Sequence, residues 1–96
     1  MKIIEVQLQR KLVFELDGKI SQGTGTLGPL VQEAPGKPWT CECHISKVVE
    51  KTRRIYGEDE LHTFANGLAF CRDALRDFDV HNGRVWWLEQ GDQGGL

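Results

Sequence analysis

Ile4, Val6 and Leu8, followed by Leu12, Phe14 and Leu16, occupy one parity of the chain, while Glu5, Gln7, Gln9 and Glu15 occupy the other. Alternation with period two predicts extended chain with one buried face and one wet face. Asp17-Gly18 follows, a dipeptide suited to a two-residue hairpin because glycine tolerates positive φ. Lys19 to about Leu27 is then expected to return antiparallel. Its Gly- and Thr-rich composition suggests an edge strand with a bulge. Gly28-Pro29 is expected to end that strand, and Pro35, Gly36 and Pro38 mark a loop. Alternation resumes from Trp39 to about Glu50, the third strand. Either Lys51-Thr52 turns the chain into a short Arg53–Tyr56 strand, or the third strand runs on.

The period then changes. Leu61, Phe64, Leu68, Cys71, Leu75 and Phe78 recur at spacings of 3, 4, 3, 4 and 3. This predicts one apolar stripe along a helix of about 20 residues, roughly 30 Å long. Glu58, Asp59 and Glu60 at its start complement the positive end of the helix dipole. Gly67 beside the stripe points to close approach of helix and sheet. Asn82-Gly83 should turn the chain into a last strand, Arg84–Leu88. The predicted architecture is α+β: an antiparallel sheet of three to five strands with one long helix on one face, in the order β-β-β-(β)-α-β.

A chain of 96 residues is expected to form one domain, here residues 1–90 with a C-terminal tail at 91–96. Its 40% apolar and 27% charged residues give a globular balance. A net charge of −2 disfavours a nucleic-acid binder, which would carry a basic excess on one face. No window approaches the roughly 18 apolar residues of a membrane span. The opening MKIIEVQLQRKLVFEL lacks the unbroken apolar run of an export signal. A cytoplasmic location with three free thiols is therefore expected.

Candidate chemistry centres first on WTCECH, residues 39–44. In a strand, Trp39, Cys41, Cys43 and Ile45 share a face, and His44 points the other way. His44 therefore cannot join the cysteines around one metal ion. Nor can Cys41 pair with Cys43: Cβ atoms two residues apart lie about 6.6 Å from each other, against the roughly 3.5–4.5 Å of a disulfide. Both cysteines are expected to fill the core. Cys71, in the helical stripe, is expected to pack opposite Cys41 or Cys43. Residues 23–28 match G-x-G-x-x-G, but no helix follows to present its N-terminus to a phosphate, so the match reads as accidental. Arg53 and Arg54, near Lys47 and Lys51, form a small basic patch, expected to be a solvated strand end. Phe70 falls on the far side of the helix from the stripe, and Trp86 and Trp87 are adjacent, so either the C-terminal segment wraps to cover Phe70 with a tryptophan or these aromatics form an exposed patch that binds a partner.

Three short segments carry a resemblance. Gly28-Pro29 follows the second strand, Trp39-Thr40-Cys41 opens the third, and Tyr56-Gly57-Glu58-Asp59 opens the helix. Together they resemble a family of small bacterial proteins known only as a domain of unknown function, in which a W-x-C strand leads to a G-x-D-x-x-x-A helix. The likeness covers about residues 3–78. His62-Thr63-Phe64 stands where that family tends to have Gln-Ala-Leu, and the tryptophan-bearing C-terminus is additional. The resemblance implies a bacterial or phage α+β protein of the cytoplasm, and implies no activity.

The expected function is that of a non-enzymatic protein-interaction module, immunity- or inhibitor-like, binding a protein partner or a second copy. Phe70, Trp86, Trp87, Arg53 and Arg54 are the candidate contact residues. The alternative is a small metal-binding or thiol-chemistry protein using Cys41, Cys43 and Cys71. No catalytic residue and no cofactor are expected.

Overall fold

The computed structural model describes residues 1–81 and 84–86, with side chains through residue 79. The elements are β1 (Lys2–Ile4), β2 (Leu8–Leu16), β3 (Lys19–Gln32), β4 (Trp39–Ile45), β5 (Val49–Gly57), α1 (Glu60–His81) and β6 (Arg84–Trp86). The strands form one sheet in the order β5-β4-β3-β2-β6, with β1 paired to the end of β3. Every pairing is antiparallel. Helix α1 lies across one face, so the α+β architecture is as the periodicities predict. The expected turn at Asn82-Gly83 and the tail at 91–96 fall outside the described residues.

The first hairpin follows its sequence signal. Asp17 and Gly18 both take positive φ, at 53° and 76°, and Leu16 pairs with Lys19. Strand β3 does not end at Gly28-Pro29 as expected; it runs 14 residues, through to Gln32. Its register against β4 slips between Leu27 and Leu30. On its other side, β2 pairs as far as Leu27 and β1 takes over at Leu30. The glycine-proline is thus a bulge inside a strand shared by two successive neighbours. Gly28 has φ 118°, and a Cβ there would collide with the Val6 carbonyl oxygen where the chain passes from β1 to β2.

The open choice after the third strand resolves as a hairpin, but its turn lies at residues 46–48, ahead of Lys51-Thr52. Lys47 has φ 67°, and the Val48 N–H donates to the Ile45 carbonyl at 3.1 Å. Ser46 holds this turn to the sheet: its Oγ donates to the Thr24 carbonyl at 3.1 Å and accepts from the Thr24 N–H at 3.0 Å. A turn closed by a distant strand leaves little local signature.

The core gathers Leu12, Phe14, Leu27, Leu30, Trp39, Cys41, Cys43 and Ile45 from the sheet, with Leu75 and Phe78 from the helix. The Phe14 and Phe78 rings meet edge to face, centroids 5.6 Å apart, an arrangement the ring quadrupoles favour. Gly23 makes room for the Phe14 ring, since a Cβ there would stand 2.7 Å from Phe14 Cε2. The glycines of the G-x-G-x-x-G match therefore lie within a strand, Gly23 serving packing and Gly28 the bulge.

Helix α1 is rotated from the expected stripe. Leu61 is 80% exposed and Leu68 41%, whereas Thr63, Gly67, Leu75 and Phe78 are buried and Phe70 is half-buried. At 3.6 residues per turn, the buried face is displaced roughly 70° around the axis from the leucine stripe. Small residues explain the rotation. A Cβ on Gly67 would come within 2.7 Å of Leu27 Cδ1, and one on Gly57 would strike the side chain and backbone of Thr63. Close approach along Gly57, Thr63 and Gly67 sets the seating, which leaves Leu61 and Leu68 outside the core and keeps Leu75 within it.

Candidate functional site

Strand β4 presents its cysteines as parity predicts. Trp39, Cys41, Cys43 and Ile45 are buried, while Glu42 is exposed and Thr40 and His44 are intermediate. Helix α1 crosses above and sets Cys71 directly over Cys43, with the two Sγ atoms 2.8 Å apart. Cys41 is not part of that pair. All three are free thiols, and among the described residues no group of three or more His, Cys, Asp or Glu is arranged to hold a metal ion.

The three thiols are not equivalent. Burial pushes the Cys41 thiol up to about 11 from its ordinary 9.0, a cost that a backbone hydrogen bond from Gly28 offsets only in part. In the close pair the hydrogen bond separates the two groups. The two thiols share one hydrogen bond in which either sulfur can donate, and it holds the Cys71 thiol below its ordinary value against the opposing effect of burial. The same bond, with burial added, holds Cys43 strongly protonated. Of the two, Cys71 is the thiol that gives up its proton more readily.

Cys71 is also the thiol with access. It lines an apolar cleft of about 150 Å³ between the helix and strands β2 and β3, together with Leu8, Leu12, Leu27, Leu68 and Leu75. Leu8 and Leu68, 45% and 41% exposed, stand at its rim. Cys41 and Cys43 are both fully buried, at 0% exposure.

The candidate contact residues are distributed differently from expectation. Phe70, expected either under the chain's own C-terminal segment or exposed to a partner, packs partly buried against the core, with the Arg53 guanidinium carbon 5.7 Å from its ring centroid. Arg53 stands opposite Cys43 in the sheet register and Arg54 opposite Glu42, so the two arginines lie on opposite faces of β5 and form no joint basic patch. Trp86 pairs in register with Val13 on β2, which places the last strand within the chain's own sheet. Trp87 lies outside the described residues. His62 serves the helix start: its N–H donates to Asp59 Oδ1 at 2.7 Å, and its Nδ1 accepts from the Glu58 N–H at 3.0 Å. Asp59 thus caps the helix, and His62 returns a bond to the residue before the cap, a variant of the capping box.

Sequence reasoning missed the cleft. Leu8 and Leu68 each sit on a correctly predicted apolar pattern, which says that a side chain is apolar and not whether another element covers it. No family model matches the chain, and no curated protein or solved structure matches it either.

Proposed function

We propose that the protein is a protein-binding module rather than an enzyme, and that its contact surface is the apolar cleft between β2 and α1. The observation that carries this reading is the pair of rim leucines, Leu8 and Leu68, each about half-exposed beside buried Leu12, Leu27 and Leu75. Leu61, two helical turns before Leu68 and more exposed still, extends the apolar strip along α1. Contiguous apolar surface rimmed by polar residues marks sites where another polypeptide docks. An aliphatic or aromatic anchor from the partner would enter the cleft and cover both leucines, occluding this face of the helix.

Site-specific photo-crosslinking tests this reading. A photoreactive residue at position 68 should give one discrete adduct in cells, and the same residue at position 42, on the opposite face of the sheet, should give none. The adduct's mass separates a second copy of this chain from a different polypeptide. Loss of the adduct on adding Leu8→Glu, with circular dichroism unchanged, is the expected confirmation. No discrete adduct from position 68, or an equal one from position 42, would overturn the reading.

A further inference from the structure

We propose that Cys71 and Cys43 form a hydroperoxide-reactive site in which Cys71 attacks the peroxide and Cys43 resolves the product as an intramolecular disulfide. The assignment does not depend on what binds the cleft.

Geometry separates the two roles. Cys71 alone of the three thiols lines the cleft, whose volume of about 150 Å³ admits a small hydroperoxide. Cys43 is fully buried, so a reagent in solvent cannot reach it before it reaches Cys71. The sulfurs already lie 2.8 Å apart, and closing to bonding distance requires a movement of about 0.8 Å. Cys41 is equally buried but is not paired with Cys71. The hydrogen bond shared with Cys43 holds the Cys71 thiol below its ordinary value, and the thiolate is the nucleophilic form.

The chemistry balances with a hydroperoxide as the oxidant. The Cys71 sulfur attacks the terminal peroxide oxygen, the O–O bond breaks, and an S–O bond forms. The leaving alkoxide or hydroxide takes up from solvent a proton equivalent to the one Cys71 released on ionising. Cys43 sulfur then attacks Cys71 sulfur, the S–S bond forms, and the S–O bond breaks. The departing hydroxide leaves as water with the Cys43 proton. Two thiols and one hydroperoxide give one disulfide, one alcohol (water when the oxidant is hydrogen peroxide) and one water. The thiols are oxidised by two electrons and the peroxide is reduced. The link would join β4 to α1 across 28 residues of sequence.

The test uses the full chain, reduced and then exposed to hydrogen peroxide under non-denaturing conditions. Intact mass should fall by two hydrogens, and peptide mapping should find Cys43 joined to Cys71, with Cys41 still alkylatable. Cys41→Ser should behave as the wild type. Cys43→Ser should leave a sulfenic acid on Cys71 that dimedone traps. Cys71→Ala and Cys71→Ser should slow thiol loss by roughly tenfold or more, as expected when the one accessible thiolate is removed. The wild-type mapping needs no variant to fold, and circular dichroism qualifies the variants. A Cys41–Cys71 link, only intermolecular disulfides, or wild-type oxidation rates in both Cys71 variants would overturn the assignment.

Discussion

Cys41 and Cys43 differ by two positions on one strand, yet the fold gives them different chemistry. Cys41 is enclosed without a thiol partner, whereas Cys43 meets Cys71. Burial holds the Cys41 thiol protonated up to about 11, while in the unfolded chain it would ionise near 9.0. Between those values the unfolded state has released a proton that the folded state still binds, so stability falls as pH rises. Cys43, also held protonated, acts in the same direction. The denaturation midpoint should therefore drop between pH 9.0 and about 11, and the drop should be shallower in Cys41→Ala than in the wild type. Urea titrations across that range check it; an unchanged slope in the variant would show that Cys41 does not carry the effect. The facing of WTCECH was legible from the sequence because strand parity is local. The partner of Cys43 was not, since it comes from the helix 28 residues away.

At the scale of elements, α1 shows how a correct periodicity can misplace one edge of a face: Phe64, Cys71, Leu75 and Phe78 of the stripe pack on the core, while Leu61 and Leu68 do not. The spacing of Leu61, Phe64 and Leu68 identified the helix, but its seating follows the small residues Thr63 and Gly67 and the close approach they allow. Substitutions separate the two faces. Leu61→Lys should change stability by no more than about 0.5 kcal/mol, because the site is in solvent. Phe70→Lys should cost about 2–4 kcal/mol, because it removes a ring packed against the core and sets a second cation beside Arg53. The leucine stripe alone would predict the reverse order. Equilibrium unfolding of the two variants decides between them. The strands divide in the same way. The Asp17-Gly18 hairpin was readable from its own residues, while the turn at 46–48 depends on Ser46 bonding to Thr24, a contact that exists only after β3 and β4 have paired.

The whole molecule is a sheet whose middle is sealed and whose flank is partly open. Strand β3 is paired on both sides, to β4 on one and to β2 and then β1 on the other. Its amides, with those of β4, should exchange with solvent most slowly, and those of β1 and β5 faster by local opening. Hydrogen exchange followed by mass spectrometry or NMR checks this; equal protection in β5 and β3 would contradict the topology. The helix crosses the sheet so that β2 keeps Leu8 at an open rim, and that offset creates the cleft and exposes one side of Cys71. Taken alone, the sequence determined what neighbouring residues decide: which faces of β2 and β4 are apolar, where the helix starts, and that one helix covers an antiparallel sheet. Tertiary structure decided the continuation of β3 through Gly28-Pro29, the rotation of α1, the partial burial of Phe70 beside Arg53, and the meeting of Cys43 with Cys71. Each of these depends on the distance between backbones brought together from far apart in the chain, and hydrophobic periodicity encodes direction around an element, not that distance.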